Sequence, residues 1–174
     1  MCILIIPDTT LADEICAYRQ AFLESGDSMD GTGGLRRYEN PADWLDENAR
    51  CEKRETVPAG WVPATQYVYL REEDRKIVGM IQIRHELNDY LASYAGHIGY
   101  SVRPDERRKG YASQMLQDAL PHCREIGLRR VMVTCDADNE GSRRTILKNG
   151  GVYENTVHEP EENVDIERYW IELE

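Results

Sequence analysis

Apolar and polar residues recur along the chain with two periods, one typical of strands and one of helices. Seven runs have the alternation or the continuous apolarity of strands: residues 2–6, 65–71, 76–84, 95–102, 130–135, 152–157 and 164–173. Four stretches place apolar residues on one helical face: residues 11–22, 41–55, 107–126 and 139–149. The order β-α-α-β-β-β-α-β-α-β-β contains no repeat and no break in composition, so residues 1–174 are predicted to form one domain.

Residues with strong turn preferences mark the ends of these elements. Asn40 before Pro41 is typical of a helix N-terminus, and the charged run 72–75 predicts a hairpin turn. Pro121 interrupts the third helical stripe, so we expect a kink or a shorter helix there. The segment Gly31–Gly34 follows no predicted strand and lacks the longer dinucleotide-binding pattern, so it is interpreted as a flexible loop.

Composition and charge argue against several classes of protein. The 174-residue chain has a net charge of −11, whereas a nucleic-acid partner would need a broad basic face. No apolar stretch approaches the ~20 residues of a membrane span, and the apolar N-terminal run is too short for a signal peptide, so a cytoplasmic protein is expected. The five cysteines form no C-x-x-C pair and the four histidines lack metal-ligand spacing, so no metal site is expected. Cys2, Cys16, Cys123 and Cys135 lie in apolar patterns and are interpreted as reduced core residues.

The most informative feature is the turn between the run 95–102 and the helical stripe that follows it. Arg107, Arg108 and Lys109 precede Gly110 there, in a chain that is otherwise acidic. A helix start exposes unpaired N–H groups and a partial positive charge, and glycine lets the backbone approach a ligand closely. The turn is therefore predicted to bind an anion, with a pyrophosphate as the favoured ligand. It lacks the G-x-x-x-x-G-K-[ST] pattern of a nucleotide triphosphatase, which argues against that alternative.

Two sequence blocks resemble the GNAT superfamily of acetyl-CoA-dependent N-acetyltransferases. The first is Arg107-Arg-Lys-Gly-Tyr-Ala112, which fits the family pattern Q/R-x-x-G-x-G/A. The second runs from Cys135 to Ser142 and is followed by Lys148-Asn-Gly-Gly151. The whole chain most resembles an uncharacterised group of predicted acetyltransferases in that superfamily. The resemblance implies an α/β fold (α+β by some schemes) with a mixed, mostly antiparallel sheet of about six or seven strands, flanked by helices and splayed between the fourth and fifth strands.

The resemblance also implies a binding site for acetyl-CoA and no metal. Backbone N–H groups of the turn would hold the pyrophosphate while its cations screen the charge, and the pantetheine arm would lie along the fourth strand like an added strand. The implied coenzyme-binding residues are Tyr100, Val102, Arg107, Arg108, Lys109, Gly110, Tyr111, Ala112, Asn139 and Ser142. Helix capping is the alternative interpretation of Asn139 and Ser142.

Acetyl transfer to an amine needs a base, because the amine is mostly protonated at neutral pH. His97 is the leading candidate, since it stands where related enzymes often carry a glutamate and an unperturbed histidine pKa of ~6.5 suits proton transfer. A strand histidine that only bonds a neighbour is equally compatible with the sequence. Glu86 and His85 are alternative bases that would act through water. No acid is assigned, because many relatives carry a tyrosine where this chain has Ile146, and a thiolate is able to leave without one.

Substrate selection is expected in the less patterned segments 25–38, 57–63 and 84–94. Trp61 is either a core residue or a pocket wall, and Arg84 and His85 begin a polar segment that is either a lid or an ordinary turn. The predicted function is transfer of an acetyl group from acetyl-CoA to a primary amine of a small molecule or peptide, without nucleic acid or membrane as partner and with a homodimer as one option. The alternative is a non-catalytic module that binds or senses acyl-CoA.

Overall fold

Seven strands form one central sheet in the computed structural model, which describes residues 1–173. They are β1 (Cys2–Ile5), β2 (Ala64–Arg71), β3 (Lys76–Arg84), β4 (Ile98–Val102), β5 (Arg130–Asp136), β6 (Val152–Glu159) and β7 (Val164–Glu172). Their order across the sheet is β1-β2-β3-β4-β5-β7-β6. Neighbouring strands are antiparallel except β4 and β5, which are parallel. The predicted fold class is confirmed.

Helices cover both faces of this sheet. Within the described residues they are α1 (Ala12–Ser25), α2 (Pro41–Cys51), α3 (Tyr111–Ile126) and α4 (Glu140–Lys148). The first two bury Tyr18 and Trp44 against one face, while α3 and α4 pack Met115 and Ile146 on the other. Alternation along β3 sends Met80 to the first core and Ile81 to the second. No described helix has both the length and the apolarity that a membrane crossing requires.

Several predicted element boundaries agree with the structure because local chemistry sets them. Asn40 accepts a hydrogen bond from the Ala42 N–H at 3.0 Å, and α2 begins at Pro41 as predicted. The third helix was expected to shorten or kink at Pro121, but it continues to Ile126. Pro121 is exposed, so water can bond the carbonyl that lacks its usual N–H partner.

Other boundaries differ from the prediction. Strand β4 begins at Ile98 rather than at residue 95, because a π-helical turn, Leu91–Ala95, precedes it and Gly96 has a φ of 67°. The prediction that Cys16 lies in the core was wrong, since this side chain is exposed on α1, whereas Cys51 is buried. Cysteine is found both in protein cores and on protein surfaces, so the residue type alone did not distinguish Cys16 from Cys51.

Candidate active site

Strands β4 and β5 separate along most of their length. Their ladder contains one paired position, at Ile98. On its other side β4 pairs with β3 throughout. The N–H of Arg103 donates to the Val78 carbonyl of β3, so Arg103 and every second residue before it bond to β3. Antiparallel ladder bonds fall on every second residue, so the N–H and C=O groups of Tyr100 and Val102 point away from β3 and into the gap.

The predicted anion site is a tight turn at the start of α3. Arg108 and Gly110 have left-handed backbone, with φ values of 62° and 86°, and alternation of such residues with ordinary ones forms a concave N–H nest. No side chain caps α3, and Gln114 donates its N–H to the Gly110 carbonyl. The N–H groups of residues 111–113, Ala112 among them, therefore lack partners within the helix.

The three cations of this turn have different surroundings. Arg107 pairs with Asp27 at 2.7 Å, and its Nε donates to the Val102 carbonyl at 3.3 Å, which fixes the turn beside the gap. Lys109 pairs with a glutamate described below. Arg108 is exposed and makes no ion pair within residues 1–173. Of the three, Arg108 is thus the cation without a counter-ion.

A buried carboxylate anchors this turn to the β2–β3 hairpin. Glu106 is 3% exposed and forms ion pairs with Arg71 at 2.9 Å and with Lys76 and Lys109 at 2.7 Å each. The hydrogen bond from Arg71 is the largest reason why the pKa of the Glu106 carboxyl lies well below its usual range. Arg71 also donates to the Tyr111 hydroxyl at 3.1 Å, so that side chain faces the anchor. No pattern in the sequence distinguished this glutamate from its charged neighbours.

The second predicted coenzyme-binding block borders the same gap. The hydroxyl oxygens of Tyr100 and Ser142 are 2.7 Å apart, which joins β4 to α4. Burial raises the pKa of the Tyr100 phenol, so it stays protonated. Asn139 accepts the Ser142 N–H at 3.1 Å and caps α4. The structure thus brings these residues together, with the Asn139 oxygen engaged in the cap.

His97 is buried in a hydrogen-bonding role between β4 and β5. The ring Nδ1 accepts a hydrogen bond from the backbone N–H of Met132 at 2.9 Å, and the backbone N–H of His97 donates to the Met132 carbonyl at 2.8 Å. Burial lowers the pKa of His97 to about 4, and the charges of Arg84 and Arg130 add to this effect. A neutral imidazole with an occupied Nδ1 fits a histidine that bonds a neighbour better than it fits a general base.

The two alternative bases, Glu86 and His85, are each engaged with another side chain. Glu86 is ion-paired with Arg54. His85 has its Nε2 2.8 Å from the Thr65 hydroxyl, and burial lowers the pKa of this histidine. Within residues 1–173, no group of three or more His, Cys, Asp or Glu side chains is arranged to hold a metal ion.

The glycine segment Gly31–Gly34 packs directly on the centre of β4. A Cβ on Gly31 would overlap the carbonyl of Gly99, so only glycine allows this approach. Gln66 Nε2 donates to the Gly31 carbonyl at 2.8 Å, and Thr32 is 2% exposed. The interpretation as a flexible loop was therefore wrong, because these glycines serve close packing.

The residue before Gly31 is Asp30, which no sequence motif indicated. Burial is the main cause of the raised pKa of Tyr100 on β4 and of Asp136 on β5, and the negative charge of Asp30 raises both further. The Asp30 side chain is exposed and accepts a hydrogen bond from the Ser28 hydroxyl at 3.0 Å. Asp30 is thus an accessible carboxylate next to the glycine that packs on the centre of β4.

A cavity of about 280 Å³ opens beside the end of β3, the strand that pairs with β4. Of the three predicted substrate residues, Trp61 and Arg84 line it and His85 does not. Trp61 is 51% exposed, so it is a wall of this cavity and not a core residue. Gln82 also lines the cavity, and this residue of β3 is paired with Gly99 on β4.

Comparison with known proteins identifies a family of acetyltransferases. A model of the acetyltransferase (GNAT) family matches residues 35–150. The uncharacterized N-acetyltransferase YnaD of Bacillus subtilis (strain 168) is 32% identical over 84 residues, which are 48% of this chain and 46% of YnaD. The match thus spans about half the length of that relative.

Solved structures match over nearly the whole chain. The microcin self-immunity acetyltransferase MccE, in complex with acetyl-CoA and AMP, has a TM-score of 0.72 and 19% identity over 98% of this chain and 92% of its own. An acetyltransferase from Salmonella typhimurium that modifies the N-terminal serine of a 50S ribosomal subunit protein has a TM-score of 0.69 and 19% identity, covering 99% of this chain and 95% of its own. At these identities, the likeness shows the fold.

Proposed function

Because the chain belongs to the GNAT family of acetyltransferases, we propose that it transfers the acetyl group of acetyl-CoA to a primary amine of a small molecule or peptide. The main support is the open gap between β4 and β5 beside an uncapped helix start that carries a cation without a counter-ion. The pyrophosphate would bind the N–H groups of residues 111–113 and Arg108, and the pantetheine arm would pair with the backbone of Tyr100 and Val102.

The reaction needs a donor for the oxyanion that forms on the thioester carbonyl. The amine nitrogen attacks the carbonyl carbon, the carbon–sulfur bond breaks, and the thiolate of coenzyme A leaves. The N–H of Tyr100 points into the gap, and in this proposal it stabilises the oxyanion. Tyr100 thus acts through its backbone, while its phenol is engaged with Ser142.

The ammonium proton must reach a base before the attack. His97, Glu86 and His85 were the sequence-based candidates, but the first is buried with an occupied Nδ1, the second is ion-paired, and the third has its Nε2 2.8 Å from the Thr65 hydroxyl. We assign the proton to the carboxylate of Asp30, reached directly or through one water. Support comes from its accessibility and from the packing of the adjacent Gly31 on β4.

Binding of acetyl-CoA tests the donor site on its own. The dissociation constant is measured by titration calorimetry for the wild type, Arg108→Ala and the control Arg129→Ala, an exposed arginine just before β5. Loss of one charge-assisted phosphate contact at Arg108 is expected to weaken binding about tenfold, with a smaller loss at high salt. The control should bind like the wild type, and equal affinities for all three proteins would contradict the site.

Turnover tests the activity. Release of the coenzyme A thiol is followed with a panel of primary amines, and the expected result is amine-dependent release with a matching acetylated product. Tight binding of acetyl-CoA without turnover on any amine would instead favour the acyl-CoA-binding module.

The setting of the reaction is also a proposal. All five cysteines are free, and unpaired thiols favour a reducing compartment, so we place the activity in the cytoplasm. A homodimer remains a prediction that size-exclusion chromatography with light scattering tests.

A further inference from the structure

The cavity beside β3 has a charge opposite to that of the whole molecule. The chain has a net charge of −11, yet the cavity wall contains two arginines, Arg37 and Arg84, and no aspartate or glutamate among its described residues. Lined in this way, the cavity disfavours a cationic acceptor such as a polyamine and favours an anionic group.

Arg84 is the inner of these two cations. Its Nη1 donates to the carbonyls of Ala95 and Gly96 at 3.2 Å each, whereas its Nε and Nη2 make no hydrogen bond within residues 1–173. Nη2 lies 3.1 Å from the point where Gly99 would carry a Cβ. Burial lowers the pKa of Arg84, and the charge of Asp30 partly offsets the effect. Since arginine keeps its charge in proteins, this guanidinium presents two free donors and a charge without a direct ion-pair partner next to the centre of β4.

Arg37 supplies a second guanidinium at the wall of the cavity. The side chain folds back over the glycine segment, where a Cβ on Gly34 would overlap its guanidinium. It is exposed and forms no ion pair within the described residues. Two arginines without carboxylate partners can bind a planar carboxylate through paired N–H groups.

The remaining wall is suited to a small apolar group. Trp61, Val62 and Leu91 contribute apolar surface, and a volume of about 280 Å³ fits a ligand the size of one amino acid. The spacing of the charges also limits the ligand. An amine that reacts beside Tyr100 while its carboxylate binds Arg84, whose Nη2 lies against the neighbouring Gly99, must carry both groups close together, as an α-amino acid does.

We infer that the acceptor is a small apolar α-amino acid or a close analogue, whose carboxylate binds Arg84 and Arg37 and whose side chain contacts Trp61. This inference rests on the proposed acetyl transfer, and it specifies the class of amine. It also separates the charge that attracts the acceptor from the charge of the Arg107–Ala112 turn, which serves the donor.

The test compares three probes in the thiol-release assay: L-leucine, L-leucinamide and putrescine. Leucinamide has the less basic amine and therefore more unprotonated nucleophile at neutral pH, so a preference for leucine would run against intrinsic reactivity. We expect kcat/KM for leucine to exceed that for leucinamide and putrescine at least tenfold, which corresponds to about 1.4 kcal/mol. Leucinamide or putrescine reacting as well as leucine would overturn the inference while leaving acetyl transfer intact.

Arg37→Gln is the matched variant, because the side chain is exposed and makes no ion pair within the described residues. It should lower kcat/KM for leucine about tenfold while leaving kcat/KM for leucinamide and KM for acetyl-CoA unchanged. Arg129→Gln, outside the cavity, should change none of the three values. An equal loss for leucine and leucinamide, or no loss, would contradict the carboxylate site.

If no amine is turned over, acetyl transfer is refuted, and a binding measurement then tests the carboxylate site on its own. Trp61 fluorescence is titrated with L-leucine and L-leucinamide, and Trp61→Phe identifies the part of the signal that comes from this wall. Saturable quenching by leucine alone, abolished in Arg37→Gln, would support the carboxylate site. Absence of quenching by leucine, in that same case, would refute it.

Discussion

Replacement of the buried Glu106 by glutamine tests how the Arg107–Ala112 turn is held in place. The change removes a charge that is 3% exposed and pairs with three cations, while it keeps the size and shape of the side chain. Breaking a buried ion pair from one side typically costs about 3–5 kcal/mol. Arg71 keeps Asp74 at 2.7 Å and Lys76 keeps Asp105 at 2.9 Å, so we expect the lower end, a loss of about 3 kcal/mol in the free energy of unfolding at pH 7.

The destabilisation caused by Glu106→Gln should decrease as the pH falls. Because the folded pKa of Glu106 is depressed, its contribution is complete above the unfolded pKa of ~4.3 and is lost as the pH falls towards the folded value. The difference between wild type and Glu106→Gln should therefore shrink by about 1 kcal/mol between pH 5 and pH 3.5.

Urea unfolding followed by tryptophan fluorescence gives both values. The matched control is Glu140→Gln, whose partner Arg144 is exposed, and it should cost less than about 0.5 kcal/mol at any pH. A loss below about 1 kcal/mol for Glu106→Gln at pH 7, or a loss that stays constant down to pH 3.5, would refute the reasoning.

Three further predictions concern the site itself. Gly31→Ala should destabilise the protein by more than about 2 kcal/mol in the same urea assay and abolish acetyl transfer, because the new Cβ would overlap the Gly99 carbonyl. The control Gly60→Ala, with a φ of +83° and open space around it, should cost only about 1 kcal/mol of backbone strain. For His97, the pKa of about 4 means that stability falls as the pH drops from ~6.5 to about 4 and is constant above, and His97→Gln should lose this pH dependence. The same variant should leave the shape of the kcat profile between pH 6 and 9 unchanged, and loss of the acidic limb of that profile would restore His97 as the base. Asp30→Asn should lower kcat about 100-fold with an unchanged KM for acetyl-CoA, and full activity would exclude Asp30 as the base.

The parts of the fold that local chemistry specifies were predictable from the sequence. Strand β3 has the predicted bounds, Lys76–Arg84, because alternation and a charged turn define a hairpin without distant contacts. The start of α2 follows from the cap at Asn40. The shorter helix that was one of two expectations at Pro121 did not occur, because the cost of proline depends on solvent access to the carbonyl it leaves unbonded, and access is a property of the folded surface.

The candidate site was predictable on the donor side and much less so on the acceptor side. The Arg107–Ala112 turn is one continuous segment, so its glycine and cations are visible in the sequence. Asp30 and Glu106 are ordinary acidic residues until packing places them next to the glycine on β4 and beneath the turn. The glycines of Gly31–Gly34 are typical of a mobile loop, and only the contact with β4 explains them.

The position of β4 has a consequence for the kinetics. The gap that would admit the pantetheine arm lies along its β5 edge, while the cavity is lined by residues of β2, β3 and α2 on the other side of β4. On the proposed function, the two substrates arrive by separate routes and neither closes the path of the other. Initial-rate plots should then intersect, as in a sequential mechanism with random order, and product inhibition by coenzyme A should be competitive with acetyl-CoA alone.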